Sequence, residues 1–169
     1  CIKGYVASED GRRFCPYVVR LHMHAGSSRV RLFHTFVFDQ DPERVELSGI
    51  GFFLPLKLGD GPEVAFGGEE EVHWARTWKR GELLQGSDRE YRVSLDGETY
   101  RQGNRSPGWV SLNGSAASAA VVLRDCWREY PKGIGVDRRG DVDLQLWPSA
   151  CGETLRFETE WKEEVIRAK

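Results

Sequence analysis

The chain has 169 residues, with 24 Lys+Arg against 26 Asp+Glu for a formal net charge of −2, and is 40% hydrophobic and 11% aromatic. That length sets a prior of one domain able to bury a core without metal or disulfide. The near balance of charge gives no electrostatic footprint for nucleic acid or an anionic membrane, and the apolar content excludes a disordered chain.

The chain starts at Cys1 with neither Met nor a charged-then-apolar leader, and the stretch to Lys169 carries no stop signal. It reads as an excised piece of something longer. Tyr17–His24 alternates, with Val19, Leu21 and Met23 on one face and Val18, Arg20, His22 and His24 on the other. Ala25–Ser28 is a turn of small residues. Arg29–Phe38 then alternates again, grouping Val30, Leu32, His34, Phe36 and Phe38, so the pair predicts a β-hairpin. Leu47–Leu58 is an apolar run interrupted by Gly49, Gly51 and Pro55, expected to be a strand with an irregular start. Residues 59–90 show little regular pattern, and Glu69–Glu71 reads as a solvated loop edge.

Strands resume at Tyr91–Leu95, turning at Asp96-Gly97, and at Trp109–Leu112, turning at Asn113-Gly114. The small and β-branched run Ala116–Arg124 predicts a central strand covered on both faces. Ile134–Val136 and Val142–Trp147 flank a third hairpin signal, Asp137–Gly140, and Leu155–Trp161 alternates as one more strand before a weakly helical end. Many short strands between turn signals predict an all-β, antiparallel sandwich or barrel.

The four cysteines Cys1, Cys15, Cys126 and Cys151 have no zinc spacing. Cys126 reads as a buried free thiol, with a Cys126–Cys151 bridge left open. His22-x-His24 shares one strand face, as in some metal-binding β proteins, but His34 falls on the other face. Solvent-facing histidines are therefore the expectation, with no metal and no cofactor. His34 itself reads as a buried, hydrogen-bonded histidine. Asn104-Arg-Ser106 and Asn113-Gly-Ser115 fit the glycosylation sequon, of consequence only in a eukaryotic secretory parent.

Trp109, Trp127 and Trp147 offer flat apolar faces suited to core packing or to stacking on a sugar, and Trp109, after the loop Asn104–Gly108, is expected to be the most exposed. Arg124, Asp125, Trp127 and Tyr130 are expected to cluster where a strand ends in an aromatic-Pro turn. Arg with a nearby Tyr suits neutralising a uronate carboxylate, which proton removal alpha to it in a β-elimination requires. A surface Arg124–Asp125 pair is the plainer alternative. Trp109, Arg124, Trp127 and Tyr130 are thus the candidate glycan contacts.

The run Tyr17–Asp39, with Arg20-Leu-His22, Ala25-Gly-Ser27 and His34-Thr-Phe36, resembles a segment of the PcRGLX/YetA-like family. So does Val121-Val-Leu-Arg-Asp-Cys-Trp-Arg-Glu-Tyr-Pro131 followed by Leu146-Trp-Pro148. His24 stands where the family pattern has an aromatic, and Cys126 where it has a Phe. The resemblance implies that residues 1–169 are part of one central β-sandwich domain, cut at both ends, of a protein that also holds a RIFT barrel and an α/α toroid. The activity it implies is exo-acting rhamnogalacturonan lysis, a β-elimination on pectin, with this segment lining or supporting the cleft and the catalytic residues unassigned. Expected partners are a polysaccharide or oligosaccharide and the parent's other domains, with no nucleic acid and no membrane. The alternatives are a non-catalytic structural or sugar-binding sandwich module, and a cupin-like metal-binding protein. An extracellular location is favoured, with a cytoplasmic one left open.

Overall fold

The computed structural model describes residues 1–156, which fall into two compact units, Cys1–Glu46 with Arg156, and Leu47–Leu155. In the first unit, β1 (Ile2–Ala7), β2 (Arg13–Met23) and β3 (Val30–Phe36) form an antiparallel sheet in chain order. The expected hairpin is in place: Leu21 faces Leu32, Val19 faces His34, and Gly26 takes the positive φ of 76° in the connecting turn. The Val19 face carries the half-buried Leu32, His34 and Phe36, because the pleat sends every second side chain to the same side. A bulge between Tyr5 and Val6 sits across from Cys15, whose φ of 45° is stabilised by its N–H donating to the Asp39 carboxylate at 2.8 Å.

The second unit is a β-sandwich. One sheet orders its strands β11 (Ser118–Val122), β10 (Trp109–Asn113), β5 (Glu63–Gly67), β6 (Val72–Ala75). The other runs β4 (Ile50–Leu54), β13 (Val142–Trp147), β12 (Lys132–Asp137), β7 (Arg80–Ser87), β8 (Glu90–Leu95), β9 (Glu98–Gly103). Val64, Phe66, Val110 and Leu112 from the first sheet and Leu83, Val93, Ile134, Val136 and Val142 from the second share one core, each at most 2% exposed. Each such side chain is worth about 1.5–3 kcal/mol of burial. Phe66 reaches fully across the layers. A Cβ at Gly81 would lie 2.7 Å from its Cζ, so Gly81 makes room for that ring. Tyr100 on β9 donates its hydroxyl to the Trp74 carbonyl on β6 at 2.7 Å, joining the two layers at one edge.

The all-β antiparallel reading is borne out. Asp96 (φ 54°) and Gly97 (φ 90°) form the tight β8–β9 turn, where left-handed backbone matches the twist of the strands. The Asp96 carboxylate accepts the backbone N–H groups of Lys79 and Arg80, both at 2.8 Å, which holds its pKa below the usual carboxylate range. β12 and β13 flank the expected turn at Asp137–Gly140.

Three local expectations are corrected. Residues 59–90, without visible pattern, hold β5, β6 and all of β7. Four of the five β5 residues are buried, so no polar alternation marks it. The run Ala116–Arg124 is not a central strand: its β11 is an edge of the four-stranded sheet with alternating exposure, and its alanines are small rather than doubly covered. Cys126 lies in a turn beyond β11, not inside a strand, yet it is 1% exposed and a free thiol, as are Cys1, Cys15 and Cys151. Leu155 makes an antiparallel bridge to Leu47; the rest of the expected strand to Trp161 and the helical end lie outside the described residues.

Candidate functional site

Two loops of the sandwich unit build the candidate site: residues 104–108, between β9 and β10, and residues 123–131, between β11 and β12. The first is held from below by two fully buried polar side chains, Gln85 and Ser106, each 0% exposed. Gln85 Oε1 accepts the Ser106 N–H at 2.8 Å, while its Nε2 donates to the carbonyls of Ser87 at 2.7 Å and Asn104 at 2.9 Å. Ser106 Oγ donates to the Gly67 carbonyl at 2.6 Å and accepts the Gly108 N–H at 3.0 Å. Burying polar groups is tolerable only with partners, and here they have them. With Ser106 buried and Asn104 Nδ2 donating to Glu69 at 3.2 Å, the first sequon is committed to the fold.

The second loop locks onto the first. Gly108 has φ 75°, and a Cβ there would lie 2.3 Å from the Cys126 Cβ; the Leu123 N–H donates to the Gly108 carbonyl at 2.8 Å. Burial pushes the Cys126 thiol up to about 11, against the opposing pull of Lys132. Asp125, at φ 52°, starts a helical turn whose Arg128 and Glu129 N–H groups both donate to its carbonyl at 2.9 Å.

Trp127 stands at the junction, half-buried. The Arg105 guanidinium lies over its ring at 4.4 Å from the centroid, and that of Arg128 at 4.9 Å. Arg105 Nε also donates to the Asp88 carbonyl at 3.2 Å, but no carboxylate of the described residues pairs with it. Arg124 pairs with Asp125 at 3.1 Å, the plainer alternative, and Arg128 approaches the same carboxylate at 3.8 Å. Tyr130 is 46% exposed beside the buried Pro131.

The structure thus brings Arg124, Asp125 and Trp127 into one turn as expected, but the cations on the indole are Arg105 and Arg128. Trp127 is a platform for guanidinium groups, with stacked cation–π contacts worth about 0.5–1 kcal/mol each at exposed sites. Trp109 is half-buried rather than prominent: its indole lies over Gly67, where a Cβ would come within 2.6 Å of Nε1. Trp147 is also half-buried, donating Nε1–H to the Glu153 carbonyl at 3.0 Å. The most exposed indole among the described residues is Trp74, at 52%, which the sequence does not single out.

A second polar constellation went unread in the sequence. His73 Nε2 lies 3.0 Å from the Tyr91 hydroxyl, and its Nδ1 3.7 Å from the Glu71 carboxylate. Glu71 therefore does more than edge a loop. Burial lowers the His73 pKa, with Glu71 raising it and Arg101 lowering it further; burial likewise raises that of Tyr91. The order Tyr–His–Glu suits proton transfer, but His73 is 4% and Tyr91 3% exposed, and Gly68 and Gly103 close over the Tyr91 hydroxyl. No substrate reaches it in this state. His22 is exposed and packs its ring 5.0 Å from Phe33; His34 is half-buried between the rings of Tyr17 and Phe36 at 6.0 and 5.8 Å. Among the described residues no three His, Cys, Asp or Glu side chains gather as a metal site.

The class that these sheets define is an antiparallel β-sandwich domain. The family model for the PcRGLX-like protein central beta sandwich domain matches residues 1–63. That match includes the whole β2–β3 hairpin, the first of the two segments that carry the resemblance, and agrees with the suspected family; Val121–Pro131 and Leu146–Pro148 lie outside the matched residues. No curated protein matches the chain.

Proposed function

We propose that this β-sandwich domain serves a carbohydrate-active protein, resembling rhamnogalacturonan lyases, by binding a uronate-bearing pectic glycan at the rim formed by Arg105, Trp127, Arg128, Arg124 and Tyr130. The observation that carries this is Arg105: a guanidinium held on an indole and on a backbone carbonyl, with no ion-pair partner among the described residues. Such a group is pre-organised for a planar, bidentate carboxylate. Tyr130, three positions after Trp127 in the same loop, offers an exposed ring for a sugar face. Trp109 belongs to this reading as a half-buried neighbour on β10 rather than as the principal stacking surface.

The role is binding and support rather than bond cleavage, since the one Tyr–His hydrogen bond described is sealed in the core. This favours the non-catalytic module among the alternatives. The test is calorimetric titration with hexagalacturonate of the chain and of its Arg105→Gln and Tyr130→Phe variants, with folding checked by circular dichroism. Arg105→Gln should weaken binding at this rim roughly tenfold. A folded Arg105→Gln protein whose titration is unchanged in both affinity and stoichiometry would exclude the reading. Release of unsaturated uronate by the chain alone would exclude the non-catalytic role.

A further inference from the structure

β1, β2 and β3 contain no aspartate or glutamate, yet they carry Lys3, Arg13, Arg20 and Arg31. Strand pairing sets these cations on one face. Lys3 lies opposite Val18, Arg20 opposite Phe33 and Arg31 opposite His22, and the His22–Phe33 ring contact joins the last two rows. Arg13, paired with Ala7 beyond the bulge, lines the same side as Lys3. Lys3 to Arg20 and Arg20 to Arg31 are diagonal neighbours, so the charges climb across the sheet in steps of about 7–8 Å.

All four cations are exposed, and none is in an ion pair among the described residues. The paired arginines described in this unit sit outside the strands: Arg12 holds Asp10, Arg44 holds Asp41 and Arg156 holds Glu46. Lys3, Tyr5, Arg13 and Thr35 border an open trough of about 620 Å³ in which no described lining residue is a carboxylate. Tyr5 is 55% and Phe33 47% exposed, so ring faces flank the charges. The opposite face of these strands, with Val19, Leu32, His34 and Phe36, carries no Lys or Arg.

We infer that this face is a second glycan site, one for a carboxylate-bearing oligosaccharide laid diagonally across the three strands. Charge complementarity selects an anion, and the exposed rings select one with apolar C–H faces. The chain as a whole is −2, which supplies no long-range attraction for a long polyanion such as nucleic acid, so recognition rests on the local cations and rings. The inference stands apart from the Trp127 rim, whose residues belong to the other compact unit.

The test uses the whole chain carrying Arg105→Gln, which removes the rim cation that no described carboxylate pairs with, and adds Lys3→Gln, Arg13→Gln, Arg20→Gln and Arg31→Gln. These side chains are exposed and substitution there leaves stability within about 0.5 kcal/mol. Probes are hexagalacturonate, its fully methyl-esterified form and a single-stranded oligothymidylate, followed by calorimetry at low and moderate salt. Expected are hexagalacturonate binding that survives Arg105→Gln, weakens with salt, and falls roughly tenfold or more in the quadruple Gln background. Equal binding of the methyl ester, tighter binding of the oligothymidylate, absence of binding in the Arg105→Gln chain, or indifference to the four substitutions would each overturn it. Loss of binding with Arg105→Gln alone, and none from the strand substitutions, would leave the rim standing and remove this site.

Discussion

Replacing Gln85 by Leu probes how the candidate site is held. The side chain is fully buried and makes three hydrogen bonds, all to backbone: from the Ser106 N–H, and to the carbonyls of Ser87 and Asn104. Leucine fills similar volume but leaves the buried Ser106 N–H without a partner, at a cost of about 1–3 kcal/mol, and forfeits two further bonds of about 0.5–1.5 kcal/mol each. The expected loss is therefore about 4 kcal/mol, at the high end for one substitution. Urea unfolding should show a lower midpoint with an unchanged slope, which separates lost stability from a changed denatured state. Hydrogen exchange at the Ser106 and Gly108 amides should rise by more than that of the core strands, because the loop carrying Arg105 is released locally. A loss below about 1 kcal/mol with unchanged slope would refute the reasoning, since the loop would then be held by something other than Gln85.

The pH dependence follows from His73. Its folded pKa lies below the ordinary histidine value, chiefly through burial, so the unfolded chain takes up the proton first as pH falls. Stability should decline as pH drops below about 6.5, and His73→Gln should flatten that decline; His34, lowered for the same reason, contributes to the same slope. Gly108→Ala combines a left-handed backbone with a 2.3 Å approach to Cys126, and thermal unfolding should show a loss of roughly 2 kcal/mol or more. At pH 8 iodoacetamide should label the exposed Cys1 in the native protein and reach Cys126 only on unfolding, as mass spectrometry of the labelled peptides would show.

How far the sequence speaks depends on what each residue can reveal alone. The β2–β3 hairpin is legible because its residue types alternate along the chain, an alternation that the exposure of β3 follows, and the Asp96-Gly97 and Asp137–Gly140 turns because their backbone needs particular residues. β5 is nearly all buried, so periodicity has nothing to alternate against. At the site, Trp127 and Arg124 are legible as neighbours in sequence. Arg105 is not, because its place over Trp127 comes from a loop 22 positions earlier, set by Gln85 and Ser106. The buried Gln85 and His73 carry no signal, since polar residues inside strands read as outward-facing until their partners are known.

The claim that a uronate meets the guanidinium–indole rim is tested most directly by nitrogen-resolved NMR of the whole chain during addition of hexagalacturonate. The Trp127 indole N–H and the Arg105 Nε–H resonances should shift together and saturate. A folded protein in which both stay fixed throughout the titration would contradict it.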